Sequence, residues 1–241
     1  MVNLKKVALI TGGSSGIGNA VTKIFIKQNF IVVNLDLKNS KIKKVKNFFT
    51  DLSNINSIKK SFNEIQKNYK RMDVLVNNAA LSISNHSSDY SIEDWNRTLA
   101  VNLTAPFILT QLFANVAIKN KYSASVVNVS SIGGKLSFPK NPAYQASKAA
   151  LVHLSKAMAY DFAKHNIRIN NVIPGYIKTP MNKKSWEDKS ERLLRAKRNL
   201  LNRWGTVDEV AETIFFLSSE KSSFINGADI PVDGGWLIKG I

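Results

Sequence analysis

Residues 7–18 read Val7-Ala8-Leu9-Ile10-Thr11-Gly12-Gly13-Ser14-Ser15-Gly16-Ile17-Gly18: a short apolar run, a glycine- and serine-rich turn, and the opening of a helical pattern. Glycines at 12, 16 and 18 allow a sharp turn and a close approach of the backbone to a ligand. The free N–H groups and the dipole at the start of the next helix favour a pyrophosphate. Gly12, Ser14, Ser15, Gly16, Ile17 and Gly18 are therefore candidate cofactor contacts. The spacing is G-x-x-x-G-x-G, not the more common G-x-G-x-x-G. A plain Gly/Ser turn is the alternative reading, and the strand–turn–helix setting weighs against it.

Outward from this turn, short apolar runs alternate with longer stretches of helical period: Val7–Thr11, 18–28, 31–35, 55–69 and 74–77. The alternation continues with 95–118 as helix, 125–129 as strand, 143–164 as helix, 168–173 as strand, 210–217 as helix and 228–232 as a last strand. Such alternation predicts βαβ units: an α/β fold with a parallel sheet and helices on both faces. No repeat, linker or composition break divides residues 1–241, so one domain is expected, with a mobile flap over the charged, Pro/Gly-bounded stretch at about 176–205.

Asp36 ends the second apolar run, eighteen residues past Gly18. That is close to the ~20 expected of an acidic residue that accepts hydrogen bonds from the adenosine ribose diol. A carboxylate there repels a 2′-phosphate and favours NAD over NADP. A surface aspartate is the alternative, and Lys38, Lys41, Lys43 and Lys44 nearby soften the repulsion and leave NADP open.

Composition sets the outer limits. A chain of 241 residues with 44% hydrophobic and 21% charged residues can bury a full core, which excludes wholesale disorder. The absence of cysteine removes disulfides, thiolate metal sites and a thiol nucleophile, and three scattered histidines show no metal-ligand spacing, so no metal is expected. The net charge of +17 invites a nucleic-acid reading, but the lysines are spread along most of the chain rather than gathered in a patch, which disfavours it. Val7–Ile10 after Met1–Lys6 is too short for a secretion signal. No segment approaches the ~20 apolar residues of a membrane span, so a cytoplasmic protein is expected.

Tyr144 and Lys148, at i and i+4 near the start of a strongly periodic helix, project from one face. A phenol is a poor base at neutral pH, and an adjacent ammonium stabilises its phenolate. The pair alone is weak; its company is not. The cofactor turn, Asp36, Asp51-Leu52, Asn77-Asn78-Ala79-Ala80, Asn102, Ser131 thirteen residues before Tyr144, Lys148, Pro174-Gly175 with Thr179, and Val232-Asp233-Gly234-Gly235 follow in this order. In that order the chain resembles the short-chain dehydrogenase/reductase family over almost its whole length.

The resemblance implies a Rossmann-type doubly wound sheet of about seven strands and a catalytic tetrad of Asn102, Ser131, Tyr144 and Lys148. Tyr144 would be the general acid/base, Ser131 would hold the substrate oxygen, Lys148 the nicotinamide ribose, and Asn102 a relay water. Asn102 stapling a helix bend is the alternative. Cofactor contacts implied in the same way are Asp51 and Leu52 at the adenine, Asn78 and Ala79 at the ribose, and Pro174, Gly175, Ile177 and Thr179 toward the nicotinamide. Ala80 stands where the family usually has glycine, a small perturbation near the cofactor. The substrate is expected between 81–90, 133–141 and the flap. Lys178, Lys183, Lys184, Arg192 and Arg195 there fit either an anionic substrate or a solvated face.

An NAD-linked dehydrogenase of an alcohol, sugar or cyclic diol is the first reading. The short Asp36–Asp51 connection, without room for a crossover helix, and Tyr122 and His165 where acyl-carrier reductases commonly carry arginines, leave a 3-oxoacyl-ACP reductase second. Lys121 and Lys164 beside them could substitute. A non-catalytic dinucleotide sensor is the alternative of another class. A homotetramer or dimer is implied by the resemblance.

Overall fold

A computed structural model describes residues 5–239. Its strands are β1 (Val7–Thr11), β2 (Ile31–Asp36), β3 (Lys46–Phe49), β4 (Val74–Asn77), β5 (Ala124–Val129), β6 (Ile167–Pro174) and β7 (Asp229–Val232). The helices are α1 (Gly16–Lys27), α2 (Ile55–Asn68), α3 (Ile92–Leu99), α4 (Ala105–Lys119), α5 (Pro142–Phe162), α6 (Lys183–Glu187), α7 (Lys189–Ala196) and α8 (Val207–Ser218). The seven strands form one sheet, ordered β3-β2-β1-β4-β5-β6-β7 and parallel throughout. Met1–Leu4 of the signal-like stretch, and residues 240–241, lie outside the described residues.

The sheet is doubly wound because its central strands are apolar on both faces. In β1, Val7 and Leu9 join one core with α2, α4 and α5, while Ala8 and Ile10 join the other with α1 and α8. Strand order reverses between β1 and β4, and outside the carboxyl ends of these strands a crevice opens, where such sheets bind ligands.

The predicted elements are all present, with three differences. β3 is a short edge strand between Asp36 and Asp51 whose side chains face largely outward, with Phe49 71% exposed; it has no apolar face for a sequence pattern to display. The stretch at 176–205 has helices of its own and is anchored at a few buried points, while most of its residues stay exposed. It holds α6 and α7, buries Trp204 to 4% exposure, and bonds the Trp204 indole N–H to the Arg192 carbonyl at 3.0 Å. Finally, α3 and α4 run on as one helix, Ile92–Lys119, which by length and composition could cross a membrane, contrary to expectation. Here it is a core helix, with Leu109, Phe113 and Ala117 against the sheet.

A π-helical turn, Ala100–Thr104, joins α3 to α4, with the Ala105 N–H bonded to the Ala100 carbonyl. Pro106 has no N–H to offer the Asn102 carbonyl four residues back, so the regular ladder cannot close at that point and slips by one residue.

Candidate active site

A cleft of about 780 Å³ lies at the switch point. At one end it is lined by Gly12, Ser15, Gly16 and Ile17, by Asp36 at the end of β2, by Asp51 and Leu52, and by Asn78 and Ala79 after β4. At the other end stand Ser131, Tyr144, Lys148, Pro174, Gly175, Ile177 and Thr179. The expected residues thus converge, with three exceptions.

Ser14 does not line the cleft: its hydroxyl donates to the Lys38 carbonyl and accepts from Asn34 Nδ2 at 3.0 Å, so it fastens the turn to the stretch after β2. Gly18 is also absent from the lining, and its requirement is steric. A Cβ there would meet the Gly12 carbonyl oxygen at 2.2 Å. Asn102 is fully buried in the π turn. Its Oδ1 accepts from the Leu81 N–H at 2.8 Å, and its Nδ2 donates to the Leu81 carbonyl at 2.9 Å and to Ser147 Oγ at 3.0 Å. The side chain staples the loop after β4 to α5 across the helix bend, close to the alternative role raised for it, while the Asn102 main-chain carbonyl, which Pro106 cannot satisfy, is the acceptor still open to a relay water.

The nucleotide end fits a dinucleotide. Gly12 has φ +68°, and a Cβ there would sit 3.0 Å from Ala79 Cα, so the turn is both left-handed and crowded. α1 opens behind Ser15, whose side chain makes no capping bond, leaving the first-turn N–H groups available to an anion. Asn78 Nδ2 ties β4 to the turn through the Thr11 carbonyl at 2.9 Å. Asp36 accepts from the Ser14 and Lys38 N–H groups, both at 3.1 Å, which orients the carboxylate while each oxygen keeps a further acceptor site. At Asp51, the Ser53 hydroxyl and N–H hold the carboxyl below its usual range, with Arg97 adding to the effect.

At the catalytic end, Ser131 caps a short 3-10 turn after β5, its Oγ accepting from the Gly133 N–H at 3.0 Å. Lys148 is 2% exposed. Its ammonium donates to the Val129 carbonyl at 2.7 Å, and burial brings its pKa down from 10.5 to about 8. Its Nζ lies 5.8 Å from the centroid of the Tyr144 ring. The expected lowering of the Tyr144 pKa is not found. Burial pushes the phenol above its ordinary value, and the Ser131 hydroxyl only opposes that shift.

Residues that the sequence reading did not single out complete the cleft. Phe138 is held to α5 by Gln145, whose Oε1 accepts from the Phe138 N–H and whose Nε2 donates to its carbonyl, both at 2.7 Å. Tyr176, Arg97 and Arg198 also face in. Of the flap cations noted, Arg195 lines the cleft, whereas Lys178, Lys183, Lys184 and Arg192 do not. Tyr122 is a structural group: its hydroxyl accepts from the Met72 N–H at 3.1 Å beneath the Arg71 guanidinium.

A family model described as Enoyl-(Acyl carrier protein) reductase matches residues 12–237. The 3-oxoacyl-[acyl-carrier-protein] reductase of Thermotoga maritima is 36% identical, over 97% of this chain and 98% of its own length. The NAD-dependent glycerol dehydrogenase of Listeria innocua is 32% identical, over 97% and 94%. A solved structure of 4-hydroxyisoleucine dehydrogenase complexed with NADH superposes with a TM-score of 0.94 at 33% identity, covering 98% of this chain and all of that one. With the fold, the cleft and these likenesses in agreement, the chain belongs to the short-chain dehydrogenase/reductase family, a family of dinucleotide-dependent oxidoreductases.

Proposed function

We propose that this protein is an NAD-linked dehydrogenase that interconverts a CH–OH group of an alcohol, sugar or cyclic diol with the corresponding carbonyl, Tyr144 carrying the proton. The observation that supports it most is the meeting of Ser131, Tyr144 and Lys148 in the same cleft as the glycine turn and Asp36.

The turn at 12–17 and the start of α1 would hold the pyrophosphate, Asp36 the adenosine ribose, Asp51 and Leu52 the adenine, and Asn78 and Ala79 the neighbouring ribose face. Pro174, Gly175, Ile177 and Thr179 would border the nicotinamide. When bound, the dinucleotide supplies or accepts the hydride. Ser131 Oγ holds the substrate oxygen. Tyr144, whose burial favours the protonated phenol, is in the form that donates a proton to that oxygen during reduction. Oxidation needs the phenolate. A cation at a separation like the 5.8 Å seen here stabilises it by about 3 kcal/mol at an effective dielectric of ~20, or roughly two pKa units. Lys148 supplies that charge, and its donors beyond the bond to Val129 are available to ribose hydroxyls. Asn102 acts as a positioning residue through Leu81 and Ser147.

Asp36 is the ground for preferring NAD; solved neighbours of this fold hold NADH in some cases and NADP in others. The likeness to a 3-oxoacyl reductase keeps that activity as the second reading. We take the partner to be a small molecule and the protein to be a homo-oligomer, as the family resemblance suggests, working in the cytoplasm. A panel of secondary alcohols, sugars, cyclic diols and 3-oxoacyl thioesters, followed by nicotinamide absorbance with each cofactor, tests the proposal. Turnover of a hydroxyl substrate with NAD supports it, and turnover confined to thioesters with NADPH selects the second reading. Dinucleotide binding without any turnover selects a sensor.

A further inference from the structure

The substrate end of the cleft holds a cation that the mechanism above does not use. Arg195, near the end of α7, is oriented on two sides. Its guanidinium carbon lies 4.7 Å from the centroid of the Tyr176 ring, and its Nε donates to Glu191 Oε2 at 2.9 Å. Tyr176 is itself fixed against Trp204 and Trp236, with ring centroids 5.2 and 4.9 Å away, and it neighbours Phe138, which Gln145 holds beside Tyr144. With one face on an aromatic ring and Nε on a carboxylate, the two terminal nitrogens of Arg195 have no bonding partner among the described residues. Arg198 lines the same wall, 5.9 Å over the Trp236 ring, and has no carboxylate partner among the described residues.

The charges at this end do not cancel. Arg195, Arg198 and Lys148 line this end with one acid, Glu191; Lys148 is given to Tyr144 and the ribose in the mechanism above, which leaves the two arginines against Glu191. The other acids of the lining, Asp36 and Asp51, belong to the nucleotide end, where Arg97 acts on Asp51.

Building on the dehydrogenase reading, we propose that the substrate is a hydroxy acid and the product its oxo acid, with Arg195 the residue that reads the carboxylate. A guanidinium fork held in a fixed plane matches the two oxygens of a carboxylate and favours it over a neutral group of the same shape. Glu191, bonded to Arg195 Nε, stands beside the fork and repels a phosphate dianion more strongly than a carboxylate, so a monoanion fits this end better. The carboxylate is bound and not transformed; it fixes which hydroxyl faces Tyr144 and Ser131.

Calorimetric titration of NAD-loaded protein with butyrate, and with butyramide as its neutral isostere, at constant ionic strength reads this site without turnover. The wild type should bind butyrate at least tenfold more tightly than butyramide. Arg195→Gln should bring the two affinities together, and Arg195→Lys should restore part of the difference. Equal affinities in the wild type, or a preference that survives Arg195→Gln in a variant that still binds NAD, would overturn the inference. In the turnover arm, the acid-over-amide ratio of kcat/KM for matched hydroxy acids and hydroxy amides should fall ten- to hundredfold in Arg195→Gln. Carboxylate preference in binding with no turnover of any substrate would count against the dehydrogenase reading alone, and turnover of neutral alcohols without acid preference against this inference alone.

Discussion

Helix α5 carries two buried polar groups two turns apart, and the sheet treats them in opposite ways. Ser155 belongs to a row in which Asn77, Asn128, Asn171 and Asp229 stand in register across β4, β5, β6 and β7. Asn77 Nδ2 donates to Asn128 Oδ1 at 2.8 Å, Asn128 Nδ2 to Ser155 Oγ at 2.7 Å, and Asn171 Nδ2 to Asp229 Oδ1 at 2.9 Å. Ser155 Oγ lies 2.7 Å from Asn171 Oδ1 and 2.6 Å from the Leu151 carbonyl, donating to one at a time. Asp229 closes the row against Lys135 and Lys156, both at 2.9 Å. Lys148 is buried just as deeply with three N–H donors and one acceptor, the Val129 carbonyl. Where polar groups spend nearly all their bonding capacity on one another, with only Asn77 Oδ1 of the row's side-chain atoms buried and unpaired, they fasten the fold; where a charge is buried with donors to spare, stability has been given up for chemistry.

The contrast is sharpest at Lys148. Its folded-state pKa of about 8 lies below the unfolded value of 10.5, so between these values the unfolded chain binds more protons and stability rises with pH. Below pH 8 the ligand-free protein carries the full penalty, on the order of 3 kcal/mol. Lys148→Met should therefore stabilise the ligand-free protein at pH 7 by about 1–3 kcal/mol in urea unfolding, flatten the rise between pH 8 and 10.5, and lose turnover. A destabilised variant would break the comparison. Ser155→Ala should do the reverse. Orphaning Asn128 Nδ2 and Asn171 Oδ1 should cost about 2 kcal/mol in the same assay while kcat at 25 °C stays near wild type. The smallest effect is expected at Asp36, where Asp36→Ala should raise the KM for NAD by about tenfold, roughly 1.4 kcal/mol, and narrow the gap to NADP. An unchanged preference would remove Asp36 from the ribose.

The same contrast explains what could be read from the chain. The glycine turn, the apolar strands and the Tyr144/Lys148 pair were legible because each depends on local geometry: a φ of +68° at Gly12, alternation along β1, one helical turn in α5. β3 was not, since an exposed edge strand has no pattern to display. The commitment of Asn102 to Leu81 and Ser147 was hidden because those partners are 21 and 45 residues away, although Pro106 marks the slip in the ladder that holds it. Arg198 and Gln145 escaped for the same reason: side-chain type alone does not say which wall of a cleft a residue faces. The downward shift expected for Tyr144 counted its cation and left out its burial.

The central claim is that the Tyr144 hydroxyl carries the proton in a cleft that binds the dinucleotide independently of it. Comparing wild type and Tyr144→Phe by calorimetric NAD titration and by steady-state turnover, on whichever substrate the panel identifies, tests this most directly. NAD affinity should stay within about twofold while kcat falls at least ~100-fold, the lower end of general acid–base contributions. Turnover retained in Tyr144→Phe would contradict the account.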